Sequence, residues 1–294
     1  MRLGLIDNLI MALKLPDSLV SVDWLRQHLD AAELIVFDAS WHMPATRRDG
    51  FKEWQQKHIR GARFFDFDQK ICAPDSDLPH MMPNEAIFTR ELQALGLNQD
   101  SVVVVYDTMG MFSSPRGWWM LRAMGCENVA LLDGGLVAWD QAEYPIESTT
   151  VVPEYEAGNF VAHMNPEFIA DTAEVLNALD DASMCVLDAR PEPRFSGAAE
   201  EPRPGLRRGH MPGAVNLPFA DVFKHGLLKS KPELEEIISP LIAGSRRTIY
   251  TCGSGVTACV IAFAAHYIGL QNLAIYDGSW CEWGLPGELP VVTD

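Results

Sequence analysis

"IYTCGSGVTACVIAFAAHYIG", residues 249–269, reads as three pieces in close succession. A β-like apolar run leads to Cys252, a Gly253-Ser254-Gly255 turn follows, and a long apolar stretch closed by Gly269 reads as a helix expected to start near Val256. A strand that feeds a helix through a tight turn is the unit from which parallel α/β sheets are assembled. The same unit occurs earlier in the chain, and that recurrence decides the fold.

Four landmarks return in one order. "LIVFDAS" (34–40) is answered by "CVLDAR" (185–190), "HIRGARFFDFD" (58–68) by "HMPGAVNLPFAD" (210–221), "VVVVYDT" (102–108) by "RTIYTC" (247–252), and "NVALLDGGLVAW" (128–139) by "NLAIYDGSWCEW" (272–283). Between the strand-like runs lie helical stretches such as "SPRGWWMLRAMG" and "TACVIAFAAHYIG", each ending in glycine. The strand runs are almost wholly apolar, as in strands covered on both faces. The expected fold class is therefore α/β: two tandem domains over 16–146 and 165–294, each a parallel sheet flanked by helices, joined by a polar, proline-containing linker over 147–164. Counted back without gaps from the matched Asp133 and Asp277, Thr108 falls opposite Cys252. The first half thus lacks the thiol and is expected to be catalytically inactive, a docking wall for the second.

The 294 residues are 48% hydrophobic and carry a net charge of −17, which speaks against nucleic acid or an anionic membrane as partner, since such binders show a basic footprint. An anionic substrate would need local arginines. The six cysteines have neither CxxC nor Cys/His metal spacing, so no metal is expected and the thiols read as reduced and cytoplasmic. The opening "MRLGLIDNLIMALKLPDS" is interrupted by Asp7 and lacks a small-residue cleavage site, so it is not read as a targeting segment. No apolar run approaches the roughly 18 residues of a membrane span.

Thiolate is the reactive form of cysteine, and a helix N-terminus favours it. Around Cys252, Gly253 and Gly255 let the backbone curl so that successive N–H groups converge at a helix start, a cradle for a sulfur anion or a persulfide. The plain alternative is a buried core cysteine; that reading suits Cys185 in a strand and Cys259 in a helix, while Cys72, Cys126 and Cys281 fall near loops or element ends without such a cradle. A cysteine phosphatase would need arginine six positions after the nucleophile, where Ala258 stands. A serine hydrolase would need G-x-S-x-G, and Ser254 lies in C-G-S-G-V.

"CGSGVTA" followed by an apolar helix and "YDGSWCEW" resembles the rhodanese superfamily, and within it the 3-mercaptopyruvate sulfurtransferase family, whose loop carries Gly-Ser where thiosulfate sulfurtransferases carry basic residues. The likeness extends over nearly the whole chain after about residue 16, through "PHMMP", "SPRGWWMLRAMG", "EPRPG" and "RGHMPGAVNLPF". It implies two rhodanese-like domains with the nucleophile Cys252 in the second, Ser254 as an auxiliary hydroxyl, and Gly253, Gly255, Val256 and Thr257 completing the loop. It further implies Arg194 and Arg203 as the grip on the substrate's carboxylate and carbonyl oxygens, with Asp68 and His80 as a relay working with the serine. The expected reaction moves sulfur from 3-mercaptopyruvate through a Cys252 persulfide to a thiol, cyanide or a thioredoxin-like protein, without a cofactor. Thiosulfate:cyanide transfer and a non-catalytic persulfide carrier are the alternatives. His58 and His210 read as structural.

Overall fold

The computed structural model describes residues 13–294; residues 1–12 of the opening stretch, and the reading given to them, lie outside the described residues. Ten strands make two sheets. β1 (Leu19–Val20), β2 (Leu34–Asp38), β3 (Arg63–Phe64), β4 (Val102–Tyr106) and β5 (Val129–Leu132) lie in the order β1-β5-β4-β2-β3. β6 (Ile169–Ala170), β7 (Met184–Asp188), β8 (Val215–Asn216), β9 (Arg247–Thr251) and β10 (Leu273–Tyr276) repeat that order as β6-β10-β9-β7-β8. All eight pairings are parallel. The central strands are the apolar runs of the sequence, and every residue of β4 is buried, as a sheet covered on both faces requires.

Helix α1 (Ser114–Ala123) follows β4 and α2 (Ala258–Tyr267) follows β9. They pack against each other across the two halves, with Trp118 edge-on to Phe263 at 4.9 Å, so one apolar core runs from sheet to sheet. Helix α2 is apolar all round because it has no solvent face: eight of its ten residues are buried. It begins at Ala258, later than the start near Val256 expected from composition, because Gly255 at φ +74° keeps the loop out of helical conformation.

A reciprocal clasp joins the halves. The Met82 N–H donates to Asp277 Oδ2 at 2.6 Å, and the Leu228 N–H donates to Asp133 Oδ1 at 3.0 Å, so each half offers a backbone donor to the matched aspartate of the other. The stretch 147–164 is held along the first half: the N–H groups of Gly158, Phe160 and His163 donate to the carbonyls of Gln93, Leu97 and Met124. Among the described residues no helix is long and apolar enough to cross a membrane.

The strand registers correct the ungapped alignment of the repeat. Asp38 pairs with Tyr106 in the first sheet, as Asp188 pairs with Thr251 in the second. One residue on, the Asp107 carbonyl accepts from Leu136 N at 2.9 Å, where the Cys252 carbonyl accepts from Trp280 N at 3.0 Å. Asp107, not Thr108, therefore stands opposite Cys252. Residues 108–113 lead to α1 and 253–257 lead to α2, a loop longer by one residue in the first half, and counting back from the aspartates steps over that insertion.

Candidate active site

Cys252 leaves β9 and is 2% exposed. Helix α3 (Ser279–Trp283) pins the backbone from outside: the Cys252 N–H donates to Ser279 Oγ at 3.3 Å, and the Gly253 carbonyl accepts from Cys281 N at 2.8 Å. None of the N–H groups of Gly253 to Thr257 donates to a protein acceptor among the described residues, although Ser254, Gly255 and Val256 are buried. Buried backbone donors are nearly always paired, and a run of unpaired ones makes an anion nest. Gly255 is needed twice over, for its positive φ and because a Cβ there would lie 3.0 Å from Arg116 Nη1 and from the Asp277 carbonyl. Thr257 precedes α2 without a side-chain cap.

The matching loop of the first half shows what such a nest holds. Asp107, 1% exposed, accepts from Met109 N at 2.8 Å on Oδ1 and from Ser113 N and Ser114 N at 2.9 and 2.7 Å on Oδ2. The carboxylate of the chain itself is the anion there. Burial meanwhile pushes the thiols of Cys72, Cys126, Cys185, Cys259 and Cys281 up, to about 12 for Cys126 and about 11 for Cys281, which suits packing rather than chemistry. Cys281 lies inside α3, not at a loop.

Both predicted arginines reach the loop. Arg203 Nη2 lies 3.5 Å from Ser254 Oγ. Arg194, on the short helix Glu192–Phe195, lies over Gly253, where a Cβ would sit 3.0 Å from Nη2. The same nitrogen is held by Glu201, which accepts from Arg194 Nη2 at 2.5 Å and from Nε at 3.2 Å. Glu201 was not visible as a site residue in the sequence, being one more acid in a charged loop.

Asp68 and His80 are brought together, with Oδ1 2.6 Å from Nδ1. Burial pushes the imidazole pKa down and Asp68 opposes that shift. His80 Nε2 is buried without a partner, and among the described residues no hydrogen bond joins His80 to Ser254. The backbone of His80 is left-handed, φ +61°, where the repeat places Gly226 at φ +81°; a non-glycine residue held there marks a position where the side chain matters more than local ease. His58 and His210 instead bond the Trp54 and Phe195 carbonyls through Nδ1.

Arg116 was missed. It rises from α1 in the first half, fully buried, and donates to Asp277 Oδ1 at 2.6 Å, to the Gly255 carbonyl at 3.3 Å and to the His80 carbonyl. One guanidinium thus ties the His80 segment to the cysteine loop. Its only trace in the sequence is a charged residue inside the otherwise apolar "SPRGWWM".

Comparison with known proteins agrees with this architecture. The rhodanese-like domain family matches twice, over residues 21–142 and 171–285. The 3-mercaptopyruvate sulfurtransferase of Escherichia coli (strain K12) is 40% identical over 274 residues, covering 92% of this chain and 96% of that protein. The thiosulfate sulfurtransferase of Mus musculus is 39% identical, covering 90% and 91%. The crystal structure of the Escherichia coli 3-mercaptopyruvate sulfotransferase SseA superposes with a TM-score of 0.81 at 38% identity, covering 90% of this chain and 99% of that one.

Proposed function

The chain belongs to the rhodanese family of sulfur-transferring enzymes, and on that premise we propose that it takes the sulfur of 3-mercaptopyruvate onto Cys252 and passes it to a thiophilic acceptor. The Cys252 thiolate attacks the donor sulfur, the carbon–sulfur bond breaks, and its electron pair leaves on pyruvate enolate. The donor's thiol proton ends on the pyruvate methyl group, and Cys252 carries the persulfide anion. An acceptor nucleophile then removes the outer sulfur and restores the thiolate.

The observation that carries this reading is the run of N–H groups from Gly253 to Thr257, in a largely buried loop, that find no protein acceptor among the described residues, matched by a twin loop whose donors hold the Asp107 carboxylate. A persulfide anion suits the same donors. Mercaptopyruvate as donor is supported by the uncharged Gly253-Ser254 pair and by Arg194 and Arg203 beside it, suited to a carboxylate remote from the sulfur. Overall identity does not choose the donor, because relatives of both names stand near 40%. Ser254 and the Asp68–His80 pair are the candidates to move the thiol proton. The first half, with Asp107 in the nucleophile's place, acts as an inactive wall that supplies Arg116 and His80. Small thiols, cyanide and thioredoxin-like proteins are the acceptor classes, and the six free thiols suit the cytoplasm.

The test is mass spectrometry after adding 3-mercaptopyruvate. One extra sulfur on the peptide carrying Cys252, with pyruvate released in equal amount and neither in Cys252→Ser, is the expected result. More efficient loading from thiosulfate would replace the donor, and loading without turnover in excess acceptor would make the protein a carrier.

A further inference from the structure

We infer that Glu201 and the bare backbone of Gly253 together place the Arg194 guanidinium above the cysteine loop, so that position 253 selects the donor by the room it leaves for Arg194 in addition to carrying no charge. The inference deepens the proposed function and rests on it for the donor, a thiol that carries a carboxylate.

Glu201 is a fixed post. Its side chain is 2% exposed and is held from behind by Arg190, whose Nη1 donates to Oε1 at 2.9 Å. Arg190 is itself immobilised: it makes bonds of 2.9 and 2.6 Å to Asp188 Oδ2 and one of 2.9 Å to the Gly209 carbonyl, and lies 4.0 Å over the Trp280 ring. The charges alternate from the end of β7 outward, Asp188, Arg190, Glu201, Arg194. Only the last has a substantial free face, with 20% of its side chain exposed. Glu201 occupies the Nε and Nη2 side of that guanidinium, which leaves Nη1 for a ligand, since the planar fork carries five donors.

Gly253 closes the arrangement. A Cβ there would stand 3.0 Å from Arg194 Nη2 and 3.9 Å from Cζ, inside ordinary van der Waals separation from the nearest nitrogen. Gly253 is absent from the left-handed region, so a substitution there tests space rather than backbone strain. A side chain there presses on the nitrogen that Glu201 holds most closely, by a few tenths of an ångström for a bare Cβ, and a branched side chain such as leucine takes the room the guanidinium occupies. A carboxylate-bearing donor loses its partner; thiosulfate, which has no carboxylate, loses less.

Four variants test this: Gly253→Leu, which adds bulk and no charge, Glu201→Gln, Arg194→Met, and the Gly253→Leu/Arg194→Met double variant. Two readouts are taken. The first is kcat/KM for mercaptopyruvate and thiosulfate with one acceptor. The second, independent of donor identity, is the ratio of Cys252 alkylation rates by iodoacetate and iodoacetamide, read on the Cys252 peptide. Gly253→Leu and Glu201→Gln each lower kcat/KM for mercaptopyruvate about tenfold, mainly through KM, as loss of one charge-assisted hydrogen bond predicts, and both lower the iodoacetate:iodoacetamide ratio. In the Arg194→Met background, Gly253→Leu adds no further loss, because its effect runs through Arg194. Should Glu201→Gln fail to fold, the Gly253→Leu cycle decides alone. Additive losses in the double variant, or an alkylation ratio that ignores residue 253, would overturn the inference. If the ratio behaves as expected while the wild-type protein takes no sulfur from mercaptopyruvate, the placement of Arg194 stands and the donor assignment falls.

Discussion

The loop after β4 and the loop after β9 hold matching places in two sheets of one topology, yet the first fills its nest with the Asp107 carboxylate and the second leaves its N–H groups without a protein acceptor. At the centre of the nest the difference is Asp107 against Cys252, and the first loop is longer by one residue. A strand end, a turn of inward N–H groups and a helix start form an anion site whichever half they occur in. In the first half an internal carboxylate fills that site; in the second a cysteine stands in its place.

The largest effect that sharpens this contrast is on stability. Asp107→Ala strands the N–H groups of the buried Ser113 and Ser114 and frees that of the exposed Met109 to water, a loss of about 3 kcal/mol by urea unfolding, with sulfur loading on Cys252 retained in the folded protein. A variant as stable as wild type would show that the carboxylate is not what holds the first loop.

The next compares matched aspartates at the ends of β2 and β7. Asp188 meets Arg190 at 2.6 Å; Asp38 has Ser40 in that place, and burial pushes its carboxyl up to about 7, against the hydrogen bonds from Ser40 and Tyr106. The folded state therefore holds this proton more tightly than the unfolded chain. Its stabilising contribution is full below pH ~4, the ordinary carboxylate range, and is lost as pH rises through about 7. Asp38→Asn should flatten that part of the stability profile, measured by urea unfolding between about pH 4 and 8. An unchanged profile in Asp38→Asn would mean that the carboxyl ionises without cost.

The smallest concerns Cys259, seven residues beyond the nucleophile. Its thiol donates to the Gly255 carbonyl at 3.1 Å, and burial raises its pKa. A serine keeps the donor, so Cys259→Ser should cost about 1 kcal/mol and leave sulfur loading in place. Loss of loading would make the second thiol part of the chemistry and weaken the contrast between the loops.

Periodicity and the four repeated landmarks carried the two parallel sheets and their helical cover, because buried strands must be apolar and strand ends here are marked by aspartate and glycine; the strand order within each sheet came only with the structure. The loop insertion did not show. Nothing in "VVVVYDTMGMFSS" says where the extra residue lies, and only the register of Asp38 with Tyr106 places it. Arg116 was equally hidden, since its value lies in a partner 161 residues away. Arg194, Arg203, Asp68 and His80 were named from family likeness, and no local pattern distinguishes them; the space over Gly253 and the post at Glu201 exist only once the chain is folded.

The pairing of Arg116 with Asp277 also sets an order of events during synthesis. At about 5–20 residues per second, the ribosome needs on the order of 8–32 s to add the 161 residues that separate them. Throughout that interval the nascent first half carries a guanidinium whose buried counter-ion has not yet been made, and burying it alone would be heavily penalised. Its docking face must stay wet until the second half emerges. The Cys252 loop, which Arg116 joins through the Gly255 carbonyl, thus takes its final setting only after Asp277 has been added to the chain.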